Sequence, residues 1–326
     1  DTTLIDAALE GFEHSISRDD LPTAEEIAES SVESKRWSLC PPLLAGLNEK
    51  LAAGKDFAEI DVGIRQAAWS AINVELLNNE RDLAALAQAL QASLRAETGA
   101  WEEALRIWFE THFRVRKEQP TGLYGFIRND PDPELVGRLC TDWLRQFPDL
   151  DAATEKELVQ GSIRTAGARR SDSFKFLTEQ ADIRLSSANE LNDAKRLLWR
   201  SIAFVTAFDR RELWEASAND RDFIWEVRRR IGYSNEIEDE DMTLDAAQAA
   251  WIVSSFRRLW PVAKYETYKR GDATPFDASQ FLQRLIYDLS VDSTDEACEA
   301  LFALVEAPED GYTDQLKAAL ANQQRK

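Results

Sequence analysis

Apolar residues in this chain return every third or fourth position over most of its 326 residues, and that habit confines it to helices. Ala249, Ile252, Val253 and Phe256 share one helical face, and Phe281, Leu285, Ile286 and Leu289 share another. A sheet surface needs apolar and polar residues in alternation, and no sustained run of that kind occurs. Helix-start signals recur along the length. Thr23 with Glu26, Ser187 with Glu190 and Ser293 with Glu296 each place a hydroxyl three residues before an acid, so each can satisfy two free N–H groups at a helix start. Asp132-Pro133-Glu134 predicts an N-cap followed by proline in the first turn, and Gly167 and Gly232 stand where helices should stop.

The stretch from Met242 to Leu289 reads as helix, aromatic loop, helix. The first helix follows Thr243 and runs to Arg257-Arg258-Leu259-Trp260-Pro261, where the proline stops it. The loop carries Tyr265, Tyr268 and Gly271-Asp272, and the second helix is expected to start at Asp277. Leu197, Leu198, Ser201, Ile202, Val205 and Phe208 predict a helix apolar on most sides, buried between neighbours. Trp37, Trp69 and Trp101 lie 32 residues apart, and the residues three and seven beyond each are again mostly apolar. Such a period suits two-helix units, which hide their apolar faces only by stacking. The expected fold is therefore all-α: an extended right-handed stack of helix pairs, an α-solenoid of HEAT or TPR type. We expect three regions, residues 1–118, 119–241 and 242–326, with a joint in the proline- and glycine-rich stretch before Pro133.

Composition narrows the function classes. A formal net charge of -20 argues against a generic nucleic-acid or anionic-membrane surface, which needs basic excess. No apolar run approaches the ~18–20 residues of a membrane span. Cys40, Cys140 and Cys298 are odd in number and far apart, which suits a reducing cytoplasm better than a disulfide framework. The chain opens Asp1-Thr2-Thr3 without a start methionine, as expected of a piece of a longer polypeptide.

Chemistry is scarce. His14 and His112 are remote from each other, and neither His-Glu-x-x-His nor Cys-x-x-Cys occurs. Gly54-Lys55 lacks the rest of a Walker loop, and Glu33-Ser34-Lys35 sits in helical surroundings that a nuclease strand would not share. The acidic run Glu236 to Asp241 lacks the ligand alternation and central glycine of a calcium loop. We expect no enzyme, no metal and no cofactor. Arg228-Arg229-Arg230 is the sharper feature. Successive helix positions differ by about 100°, so three guanidinium groups can fan out to clamp phosphate or carboxylates. They also occupy a last turn, where each cation gains ~0.3–1 kcal/mol from the helix dipole. Ten tryptophans add to this, since Trp and Arg anchor interfaces when exposed and fill cores when not.

One resemblance reaches further. Arg257-Arg258-Leu259-Trp260-Pro261, Gly271-Asp272, Phe276-Asp277-Ala278 and Phe281-Leu282-x-Arg284-Leu285-Ile286 resemble the C-terminal helical segment of large bacterial NACHT-type STAND NTPases. The likeness continues through Asp292 to Glu296, Pro308, Tyr312 and the polar tail, over residues 243–326. In that class an effector and a nucleotide-binding module precede a helical region that senses a ligand, and several members act against phage. The resemblance implies a non-enzymatic sensor that binds a protein ligand, of phage origin in the antiviral members, and that oligomerises through an NTPase module outside this chain. It carries over no catalytic residue. Arg228, Arg229, Arg230, Arg257, Arg258 and Trp260 are the expected partner-binding residues; Trp260 and Phe276 also read as packing the aromatic loop onto the helices. The alternative is a general helical scaffold that binds a cellular protein and has no immune role.

Overall fold

A computed structural model of the chain describes residues 14–33, 37–76, 83–115, 119–163, 170–186, 191–218, 220–231, 244–263 and 274–325, with residues 11 and 35. Among these residues it is all-helical and contains no strand, as the periodicity predicts. None of the described helices is long and apolar enough to cross a membrane. The chain divides into two compact units, Asp1–Ala166 and Gly167–Lys326.

The N-terminal unit contains α1 (Ala24–Val32), α2 (Cys40–Ala52), α3 (Val62–Leu76), α4 (Ala84–Ala96), α5 (Ala100–Val115), α6 (Leu123–Asn129), α7 (Pro133–Gln146) and α8 (Ala152–Ile163). The predicted capping box opens α1: the Glu26 N–H donates to Thr23 Oγ1 at 3.2 Å, and the Thr23 N–H donates to Glu26 Oε2 at 2.8 Å. Asp132 caps α7 with proline in its first turn, also as read. α1 packs on both α3 and α5, so a helix early in the chain meets one about eighty positions later. Ser31 and His112, 3.0 Å apart, mark that contact.

The spaced tryptophans do not occupy equivalent places. Trp37 lies outside any helix and is 37% exposed, Trp69 sits mid-way along α3, and Trp101 falls in the first turn of α5. What unites the last two is contact rather than repetition: their rings meet edge-on at 5.1 Å, and Trp69 also touches Trp108 at 6.4 Å. Nor does the stretch before Pro133 separate two regions at residue 118. Phe109 and Phe113 of α5 pack edge-on against Trp143 of α7 at 5.5 and 5.6 Å. Arg138 of α7 holds Glu102 of α5 through two hydrogen bonds of 2.6 and 2.8 Å, and Arg106 reaches Asp142 at 2.8 Å. α8 lies against α7 so closely that a Cβ on Gly161 would overlap Cys140 Sγ.

The second unit contains α9 (Arg170–Ser186), α10 (Asp193–Thr206), two 3₁₀ turns (Arg211–Leu213 and Glu215–Ser217), α11 (Phe223–Arg230), α12 (Ala246–Phe256), α13 (Pro275–Val291), α14 (Asp295–Glu306) and α15 (Thr313–Gln323). α10 is buried over most of its girth, from Leu198 and Trp199 through Ser201 to Phe204, as its composition predicts. α12 meets α14 and α13 meets α15, so the pair α12–α13 packs on the pair α14–α15 helix for helix. The expected boundary at 241/242 is also crossed. Trp251 of α12 contacts Phe204 and Trp214 at 5.1 and 4.9 Å, and the Gln248 amide donates to the Phe204 carbonyl at 2.8 Å.

Three other helix starts differ from the sequence expectation, by one to three residues. α12 opens with a capping box from Asp245 and Gln248. α13 is capped by Thr274, with Asp277 as the acid that answers it rather than as the cap. α14 is capped by Thr294, not Ser293. Thr243, the Ser187–Glu190 box, Gly167, Gly232, the acidic run, Tyr265, Tyr268 and Gly271-Asp272 lie outside the described residues.

Two tests follow from the first unit. Gly161→Ala should destabilise the chain by about 1–3 kcal/mol in urea unfolding. Cys140→Ala in the same chain should return much of that loss, since it removes the overlapping sulfur. The Arg138 and Arg106 hydrogen bonds outweigh the opposing effect of burial and hold the Glu102 carboxyl below the usual glutamate range. A lowered folded pKa contributes stability above the unfolded value of about 4.3 and loses it as pH falls through the folded one. Glu102→Gln should therefore lower the urea midpoint at pH 7, with the gap to the unsubstituted chain closing below about pH 4.3. A gap independent of pH contradicts this.

Candidate partner-binding surface

α11 is short, and its sequence Phe223-Ile-Trp-Glu-Val-Arg-Arg-Arg230 divides cleanly by face. Phe223, Ile224 and Val227 are buried in the core of the unit. Trp225 turns to meet Trp260, which follows α12, with ring centres 5.2 Å apart and planes at 74°. A guanidinium group stands on each ring: Arg221 lies 3.8 Å over Trp260, and Arg228 lies 5.9 Å from the Trp225 centroid. Trp260 Nε1 also points to the Arg221 carbonyl, at 3.4 Å. Both tryptophans are buried by relative area, while Arg221 is exposed and Arg228 half-buried. Stacked on an aromatic face, a guanidinium keeps its N–H groups in plane and able to meet a carboxylate edge-on.

The six expected binding residues separate into three that reach the surface and three that do not. Arg228, Arg229 and Arg258 are exposed or half-exposed. Arg230 is 2% exposed and pairs with Glu226 Oε2 at 3.2 Å, because its position falls on the core side of α11. The three consecutive arginines therefore do not fan over the surface. Glu226 also takes Arg229, which leaves that side chain occupied although exposed. Arg257 is 3% exposed; its Nε lies 3.1 Å from Asp310 Oδ2 and its Nη1 donates to the Leu304 carbonyl at 3.2 Å. It is a strut between the end of α12 and the segment joining α14 to α15. Trp260 is 5% exposed, a platform for Arg221 rather than an anchor that a partner can bury. Phe276 is exposed at the start of α13, and most of the aromatic loop it was expected to pack lies outside the described residues; Arg284 pairs with Asp288 at 3.0 Å.

Arg221 was not singled out by sequence. Its partner ring is 39 residues away, and Arg221 itself lies in the turn before α11, so no local spacing joins them. The platform is held from the far side. Tyr312, fully buried, donates its hydroxyl to the Trp260 carbonyl at 2.7 Å. Burial, helped by the Asp310 charge, pushes the phenol well above its ordinary pKa, so it remains a donor at any physiological pH.

The other chemical candidates are structural. His112 is buried with Nδ1 2.7 Å from the Trp108 carbonyl, and Glu33 pairs with Lys35 on the surface at 2.5 Å. Among the described residues no three His, Cys, Asp or Glu side chains converge as metal ligands do.

Tyr312→Phe should cost about 1–2 kcal/mol in chemical unfolding, because it strands a buried carbonyl. It should also alter the near-ultraviolet dichroism of the tryptophan pair; an unchanged stability and spectrum would show that the hydroxyl does not hold the platform. Compared with known proteins, the chain matches no family model, no curated protein and no solved structure.

Proposed function

We propose that this chain is the non-enzymatic, ligand-sensing helical region of a larger bacterial STAND-type defence NTPase, and that it grips an acidic segment of a protein ligand. The observation that carries the binding site is the tryptophan pair with Arg221 and Arg228 set on its rings and exposed Arg258 close by in sequence. The chain as a whole carries a net charge of -20, and other arginines also stand on rings, as Arg284 does on Tyr287; what sets this site apart is that two such arginines share one tryptophan pair. Arg229, Arg230 and Arg257 have carboxylate partners in Glu226 and Asp310, whereas Arg221, Arg228 and Arg258 stand outside those pairs. An acidic ligand supplies the missing charge, and the low desolvation cost of guanidinium makes that contact favourable at an interface. Phage origin of the ligand and oligomerisation through the NTPase module rest on the resemblance of residues 243–326 to that class, and a cytoplasmic setting on the three scattered cysteines. Binding in such a protein acts by favouring the open, oligomerising state over the closed one.

Two measurements test this reading. The reading frame upstream of Asp1 should encode a Walker A loop; a complete frame without one removes the NTPase assignment. In pull-downs from phage-infected lysate, the combined Arg221→Glu, Arg228→Glu and Arg258→Glu variant should lose a protein that the unsubstituted chain retains. With the purified ligand, affinity should fall at least about tenfold, roughly 1.4 kcal/mol, and its salt dependence should flatten. Equal retention by a correctly folded variant rules the surface out.

A further inference from the structure

A cleft of about 630 Å³ opens in the N-terminal unit between the end of α2, the loop that follows it and one side of α4. The sequence of α4 makes the space. Leu86, Leu90 and Leu94 form its buried face, while Ala89, Ala92, Ser93 and Ala96, at helical spacings of three and four, border the cleft. Their short side chains leave room that Leu51 and Phe57 bound with an apolar wall. The volume lies within the range of sites that enclose small molecules, and the mostly apolar lining with few polar groups is the usual pattern of such sites.

One buried charge stands in that lining. Arg65, from α3, is 4% exposed. Its Nη1 donates to the carbonyl and hydroxyl of Ser93 at 3.2 and 2.9 Å, and its Nη2 pairs with Glu97. Its Nε, also buried, has no hydrogen-bond partner. The two members of the ion pair are unequally placed: the Glu97 side chain is 47% exposed and can turn into water, whereas Arg65 cannot follow it. A buried guanidinium requires a counter-charge, and removing its partner without replacement is strongly unfavourable. Lys55 and Asp56, both exposed, also line the cleft and carry opposite charges, as Arg65 and Glu97 do, so Arg65 is the one charge in the lining that is buried.

We propose that this cleft binds a small amphiphilic carboxylate, with its aliphatic chain against Leu51, Phe57 and the alanines of α4. Its carboxylate takes the place of Glu97 on Arg65, so the buried cation keeps a partner throughout. The site belongs to the N-terminal unit and does not depend on the partner-binding surface proposed above. It assigns this chain a second, chemically distinct ligand.

Decanoate is a suitable probe, titrated calorimetrically into the full chain beside 1-decanol and decylamine. Decanoate should bind saturably at one site, with both controls at least tenfold weaker. Ala92→Phe fills the cleft from the exposed side of α4 and should abolish the binding; Ala96→Phe repeats the test one turn on if the first variant does not fold. Glu97→Gln removes the competing carboxylate and should tighten decanoate several-fold. No binding of decanoate, equal binding of the three probes, or binding unaffected by filling the cleft overturns the proposal. Unchanged or weaker decanoate binding in Glu97→Gln overturns the exchange of carboxylates.

Discussion

Edge-on contact between aromatic rings from helices distant in sequence is the interaction on which both units depend. In the first unit Trp143 meets Phe109, Phe113 and Phe126 edge-on; in the second, Trp251 meets Trp214 and Phe223 edge-on and Phe204 at a tilt. Each such pair adds about 0.5–1.5 kcal/mol beyond the area it buries, and the geometry is directional as simple apolar burial is not. Helices of seven to seventeen residues have little stability alone. Rings that meet at defined angles set which helices become neighbours, and with them the boundaries of each compact unit. Eight of the ten tryptophans are buried, so in this chain the residue most often associated with interfaces is chiefly a core residue.

Three of the buried arginines form a second layer of organisation over those cores. Arg65, Arg230 and Arg257 each lie within a few per cent of complete burial, and each has a carboxylate partner. Ion pairs of this kind seldom add much net stability, because desolvation offsets the attraction. Their effect is on specificity: a misplaced helix would leave a guanidinium buried without its acid. Seen this way, the acidic excess is not uniform repulsion. Part of it is committed to matching cations in the interior, while the arginines on Trp225 and Trp260 lie outside those pairs.

The sequence shows what is periodic and local. The apolar face of α12, the burial of α10, the Thr23 box and the Asp132-Pro133 start were all legible, because each depends on residues within one or two turns. Starts slipped where two adjacent residues can cap: Thr294 and Ser293 differ only in which backbone N–H each reaches, and Thr274 was hidden behind Asp277. The fate of the arginines was not legible. Arg257 looks like Arg258 until Leu304, 47 positions away, accepts from it, and Trp260 looks like an exposed anchor until Tyr312, 52 positions away, bonds its carbonyl. The cleft beside α4 was invisible for a different reason. It is formed by short side chains, and a row of alanines in a helix reads as good helix propensity whether or not anything stands opposite.

Gln248 shows how narrow a permissive motif becomes once the rest of the fold has formed around it. At the third position of a capping box, glutamate and glutamine serve equally, since only an oxygen is needed to accept from the Asp245 N–H. Here the other end of the side chain donates to the Phe204 and Val205 carbonyls at the end of α10. A carboxylate has no proton to offer them. An exchange of one atom, nitrogen for oxygen, would leave the start of its own helix intact while turning two attractions with a neighbour into repulsions, so the interchangeability of acid and amide ends where tertiary structure begins.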